Sequence, residues 1–189
     1  MSEEILIETK NGSLSRNAKK VINVACEIIK NDYSIPKDKR KLATAGYLTI
    51  AYASGRVISI ESIEPTGDFA NMERADACLV FSQEKARRLS EKTDLTSFES
   101  RDPANKKYGG AIKVGGDKKF KIISFSGLPE LWDEASMFMT AILSIEDDEA
   151  RRLFTKKALD IYYGRNEKIQ KDSGLVEFTT LLSHFSSHS

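Results

Sequence analysis

Tyr108 to Leu143 constrains the fold more than any other stretch, because its apolar period switches from two to that of a helix and each step is punctuated. Tyr108-Gly109-Gly110 leads into Ala111 to Val114, Gly115-Gly116-Asp117 turns the chain, and Phe120 to Ser126 returns it. Two short apolar runs with glycines between them read as a hairpin. Both alternating faces of Phe120 to Ser126 are apolar, which predicts a central strand covered on both sides. Pro129 fits the first helical turn, where its missing N–H costs nothing, and Glu130 suits the positive end of the helix dipole. Trp132, Ala135, Phe138, Met139 and Ile142 then form one stripe, which is read as core.

Upstream, Ala18, Val21, Ile22, Ala25, Ile28 and Ile29 recur at helical spacing from Ser15 onward, with Ser13 or Ser15 placed to cap. Leu42 to Ala53 and Arg56 to Ile63 alternate as strands around a Ser54-Gly55 turn, giving a first hairpin. Asn71 to Lys92 is helical, although Ser82 could divide it into two shorter helices. Its charged cluster, Glu84, Lys85, Arg87, Arg88 and Glu91, is assigned to the surface. Thr93 to Lys107 is a loop around Asp102-Pro103. Ile5-Leu6-Ile7 adds an edge strand within Glu4 to Thr9. After Ser144, Glu146 to Glu149 open an amphipathic helix that Gly164 stops, and Leu175, Phe178, Leu182 and Phe185 mark another.

The resulting fold class is α/β of the α+β kind, an antiparallel sheet of about five strands flanked by helices. Residues 1–144 form the main domain, and 145–189 form a C-terminal helical extension packed on the domain or on a partner subunit. The 189 residues suit that division, and 29 Lys and Arg against 28 Asp and Glu leave a net charge of +1. No global field therefore favours nucleic acid or an anionic membrane, and neither is expected as a partner. Cys26 and Cys78 fall within helical patterns and read as buried, reduced thiols. No secretory leader and no apolar run of roughly 18 residues is visible, so a cytoplasmic location is expected.

Chemistry-bearing residues are few. Gly109-Gly110 lacks dinucleotide or P-loop spacing, yet glycines before a strand let backbone N–H groups approach a ligand. Ser126-Gly127, at a strand end before a helix, fits either anion binding or helix capping. Asp133-Glu134 fits an acid/base pair less well than surface capping and ion pairing, because adjacent helix residues diverge by about a hundred degrees. The basic run Lys37 to Lys41 is read as a solvated loop, with phosphate or an acidic partner as the alternative. His184 and His188 have helical metal-ligand spacing but sit in a Ser-rich tail.

The order and spacing of these features from Val21 to Leu143 resemble the GlcG/HbpS-like heme-binding (heme-degrading) domain family. Gly109-Gly110, the Gly-Asp hairpin, Ser126-Gly127 and Asp133-Glu134-x-Ala carry the resemblance, with the alanine one place early at Ala135. Ala53-Ser54-Gly55-Arg56-Val57 and Glu84-Lys85-Ala86 add to it. The resemblance implies a profilin-like sheet, a homo-oligomer, and a small-molecule ligand, heme included, held near Lys85, Tyr108, Gly109, Gly110, Ser126 and Gly127. The chain departs from the family at Glu61 to Glu64 and at Arg88, and it has no histidine in the matching region. Tyr108, Cys78, Met72 or the distant tail are then the remaining heme ligands. A non-catalytic ligand-binding protein is the leading expectation, and an interaction module that has lost its ligand is the alternative. An enzyme using Ser126 with Asp133 or Glu134 ranks third, since no base accompanies it.

Overall fold

The computed structural model describes residues 11–115, 120–168 and 173–187. Glu4 to Thr9, Gly116, Asp117 and His188, all used above, lie outside them. In chain order the elements are α1 (Asn11–Asn31), α2 (Lys37–Leu42), β1 (Gly46–Tyr52), β2 (Val57–Ile63), α3 (Met72–Ser90), β3 (Ala111–Val114), β4 (Lys121–Ser126), α4 (Glu130–Ser144), α5 (Asp148–Lys168) and α6 (Leu175–Ser186). Two short 3₁₀ turns, Ser97–Ser100 and Pro103–Asn105, interrupt the loop before β3.

The two hairpins join into one antiparallel sheet in the order β2-β1-β4-β3, with four strands among the described residues. β4 is central, paired with β1 from Tyr47↔Ser126 to Tyr52↔Lys121 and with β3 from Ala111↔Ser124 to Val114↔Lys121. Its alternation explains the two-sided burial read from the sequence. Ile123 and Phe125 enter the main core with α1 and α4, while Ile122 joins Ala51, Ala86, Leu89 and Ala111 beneath α3. A buried hydrogen bond, Thr49 Oγ1 to Ser82 Oγ at 2.9 Å, also joins β1 to α3. The sheet is therefore a middle layer between α3 on one face and α1 with α4 on the other.

The last two helices extend the core. Phe138 of α4 meets Phe154 and Tyr162 of α5 and Phe178 of α6 at ring-centroid distances of 6.2, 5.5 and 6.0 Å. Burying each such ring contributes roughly 1.5–3 kcal/mol, so α5 and α6 are energetically part of the folded unit. No helix of the described residues is long and apolar enough to cross a membrane.

Several local expectations need correction. The Lys37 to Lys41 run is helical, as α2, with Pro36 at its N-cap. α3 passes through Ser82 unbroken, because that hydroxyl donates back to Leu79 O at 3.0 Å as well as meeting Thr49. α5 continues past Gly164 to Lys168; an interior glycine costs only about 1 kcal/mol, and buried Tyr162 and Arg165 anchor either side of it. Ser13 and Ser15 lie within α1 rather than capping it, and Ser15 Oγ donates to Glu61 Oε2 at 2.6 Å.

Candidate functional site

Beyond the C-terminal end of β4, α3 and the start of α4 converge on a cleft of about 460 Å³. Its volume lies within the range of small-molecule sites. Phe81 and Tyr108 form an aromatic wall, their rings edge-on at 5.4 Å, and Leu42 and Leu128 add apolar surface. The polar lining comprises Lys39, Arg74, Lys85, Ser126, Glu130 and Asp133.

At the back of the cleft Lys85 and Asp133 form an ion pair at 2.8 Å, with side chains only 2% and 3% exposed. Helical spacing places Lys85 on the same buried face of α3 as Cys78, Ser82 and Leu89. Lys85 Nζ also donates to Phe125 O at 2.9 Å, while Asp133 Oδ1 accepts from Leu128 N at 2.9 Å. The pair thereby ties β4, α3 and the turn into α4 together. Burial pushes the Asp133 carboxyl up to about 6, with Lys85 opposing that rise.

Glu134, one residue on, points into a different network. Its carboxylate, fully buried, receives Arg165 Nη1 at 2.6 Å and Nη2 at 3.2 Å, and the Thr96 hydroxyl donates to it. Arg165 Nη2 also reaches Glu99 at 2.7 Å, and its guanidinium lies 3.9 Å from the Phe98 ring centroid. The two adjacent acids thus diverge as helix geometry requires and do make ion pairs, but both are buried rather than on the surface. Burial, with the nearby Glu134 charge adding to it, raises the Tyr162 hydroxyl well above its ordinary range. Arg88, also assigned to the surface, is only 6% exposed. It holds the loop that carries Tyr108 by donating to Ser97 O, Ser100 O and Tyr108 O.

Of the residues singled out from the sequence, Lys85, Tyr108, Ser126 and Gly127 line the cleft. The paired glycines sit behind its wall. Gly109 N donates to Glu130 Oε1 at 2.6 Å. Gly110 has φ of +116°, and a Cβ there would lie 2.9 Å from both Asp133 Cβ and Lys85 Nζ. Glycine is therefore needed at 110 both for its backbone angle and to admit the ion pair. At Gly127 the reason is close chain approach, since a Cβ would stand 2.6 Å from Ala45 O and Gly46 Cα. Pro129 is the N-cap of α4 without a side-chain cap bond, so Ser126 does not cap that helix.

Arg74 was not singled out from the sequence. It begins the inward face that continues through Cys78, Phe81 and Lys85 at helical spacing. Its Nη2 donates to Gly127 O at 3.1 Å, while its Nε is buried with no hydrogen-bond partner among the described residues. Its signal in the sequence was a cation at the head of a partly apolar stripe, visible only once the direction of that stripe is known.

The donor set is poor for heme. Tyr108 is the one of the expected ligands that lines the cleft. The Cys78 thiol is raised by burial and so holds its proton, whereas a thiolate is the ligating form. Met72 is 76% exposed, and His184 belongs to α6, which packs on α4 and α1. Among the described residues no three His, Cys, Asp or Glu side chains gather to hold a metal ion.

No protein-family model matches the chain, and no curated protein matches it. Among solved structures, the crystal structure of Klebsiella pneumoniae protein ORFY, of family DUF336, matches at 15% identity and a TM-score of 0.37, covering 76% of this chain and 95% of that chain. DUF336 is the GlcG-like family.

Proposed function

We propose that the cleft between α3 and α4 binds a small organic anion, a carboxylate on a planar or apolar body, without chemical conversion. The observation that carries this reading is the Arg74 Nε, buried in the cleft region with no acceptor among the described residues. A buried donor left unpaired costs about 1–3 kcal/mol, more when charged, and a carboxylate toward which the guanidinium turns its closed-off Nε–H would recover that cost as a charge-assisted hydrogen bond. Three cations, Lys39, Arg74 and Lys85, line the cleft against two carboxylates, Glu130 and Asp133. Phe81 and Tyr108 offer aromatic surface to the body of the ligand. A binding role accords with the engagement of both Asp133 oxygens, one by Lys85 and the other by Leu128 N.

The test is isothermal calorimetry with benzoate, succinate and inorganic phosphate on the wild type and on Arg74→Gln. Saturable binding of a carboxylate, weakened about tenfold or more by the substitution, is the expected result. Absence of saturable binding by all three probes would remove the reading. A hemin titration in parallel addresses the heme alternative, for which Tyr108 is the remaining donor in the cleft; a stoichiometric Soret band abolished by Tyr108→Phe would favour it.

The interaction-module alternative draws on β2, an edge strand among the described residues, with Val57 41% and Ile60 40% exposed. An exposed apolar edge is a template for pairing with a second copy. Light scattering should then give a dimer or larger that Ile60→Lys dissociates, and a monomeric wild type would exclude this route to a homo-oligomer.

A further inference from the structure

A second concavity of about 690 Å³ lies between α5 and α6, floored by α4. Its origin is the helical period of α5. Ala150, Phe154, Ala158 and Tyr162 bury one face of that helix in the core. Asp148, Arg151, Arg152, Thr155, Lys156 and Leu159 form the neighbouring face and line the groove. From Asp148 to Leu159, twelve residues, the helix rises about 16 Å.

Floor and rim differ in chemistry. Met139, Ile142 and Phe185 are buried at the bottom, and Leu143, Leu159 and Leu182 are partly buried beside them. The rim from α5 presents Arg151, Arg152 and Lys156 against the single lining carboxylate of Asp148. Arg151 is fixed, donating to Ile145 O at 3.0 and 2.8 Å and to Asp148 at 2.7 Å. Arg152 pairs with Glu149, but both are largely exposed, at 73% and 60%, and exposed pairs exchange partners at little cost. Lys156 is exposed without an ion-pair partner among the described residues. Lys20 Nζ, 5.2 Å from the Phe185 ring centroid, adds positive charge at the α6 side.

We propose that this groove binds a long-chain carboxylate, with the acyl chain along the apolar floor and the head group at Lys156 and Arg152. A short anion would leave the floor uncovered, and an uncharged chain would leave the cationic rim unused. The site is separate from the α3–α4 cleft, with which it shares no lining residue.

Calorimetry on the full chain with octanoate, decanoate and dodecanoate below their micelle concentrations tests it, with dodecanol as the uncharged analogue and circular dichroism to monitor folding. The expected result is one saturable site for dodecanoate, with affinity rising about fourfold per methylene along the series. Lys156→Glu should weaken dodecanoate about fivefold and leave dodecanol unchanged, while Leu159→Gln should weaken both. Arg74→Gln, which acts only on the cleft, should leave dodecanoate binding intact. Three results would overturn the proposal: no saturation, equal affinity for Lys156→Glu and wild type, or loss of dodecanoate binding in Arg74→Gln. If small anions fail to bind the cleft while dodecanoate binds with the expected Lys156 dependence, this site stands and the cleft reading falls.

Discussion

Replacing Lys85 by Met should destabilise the protein by about 3–5 kcal/mol, because it leaves a buried carboxylate without its cation. The structure sets the scale: the Lys85 side chain is 2% exposed, and its ammonium holds both Asp133 at 2.8 Å and Phe125 O at 2.9 Å. Met keeps most of the aliphatic volume, so cavity formation contributes little. For a chain of this size the loss corresponds to a fall of roughly 6–20 °C in Tm. With the cation gone, the Asp133 carboxyl should rise beyond its already raised value of about 6 and protonate nearer to neutrality, which limits the penalty. Lys85→Met/Asp133→Leu removes both charges; Phe125 O loses its Lys85 donor in both variants, and the double variant adds only the loss of the Leu128 N acceptor, at about 1–3 kcal/mol, so it should be more stable than the single. Urea unfolding followed by Trp132 fluorescence at pH 7 measures both. A single-variant cost below about 1 kcal/mol, or a double variant less stable than the single, would mean that Lys85 does not neutralise a buried Asp133 charge.

Asp133 should also write a pH dependence. Its folded value of about 6 lies above the ordinary 3.8, so between those values the native state binds more protons than the unfolded one. Stability from this group then falls as pH rises across that window, by up to about 3 kcal/mol, and Asp133→Asn should remove that slope from urea midpoints measured between pH 4 and 7. Arg165→Met should cost about 3–5 kcal/mol, with partial recovery in Arg165→Met/Glu134→Gln; no recovery would argue against the buried charge as the cause. Gly164→Ala should stabilise by about 0.5–1 kcal/mol, since the glycine lies inside α5 with nothing within 4 Å of its Cβ position. A thermal melt lower than wild type would contradict that.

Elements governed by local period were legible in the sequence. β4 declared its central place through apolar groups on both faces, and the α4 stripe from Trp132 to Ile142 is buried as its spacing required. What failed depended on distant partners. Lys85 and Arg88 sit in a charged cluster that looks solvated, and only contacts to Asp133, 48 residues away, and to the Ser97–Tyr108 segment reveal why both are buried. Glu134 found its partner in Arg165, 31 residues downstream in a helix expected to stop at Gly164. Gly110 and Gly127 were recognised as special positions, yet the cause lies in what approaches them, an ion pair in one case and the Ala45-Gly46 backbone in the other. Arg74 carries no such mark in the sequence, because an Nε without a partner among the described residues is a property of three-dimensional placement.

The Arg74 side-chain Nε–H is itself a resonance in a nitrogen–proton correlation spectrum, and it tests the anion site most directly. Titrating labelled protein with benzoate should move that signal saturably, together with the backbone amides of Tyr108, Gly127 and Leu128 that border the cleft. In Arg74→Gln the amide shifts should weaken at the same benzoate concentrations. An Arg74 signal that stays fixed while benzoate reaches millimolar concentration, or shifts that ignore the substitution, would contradict the account.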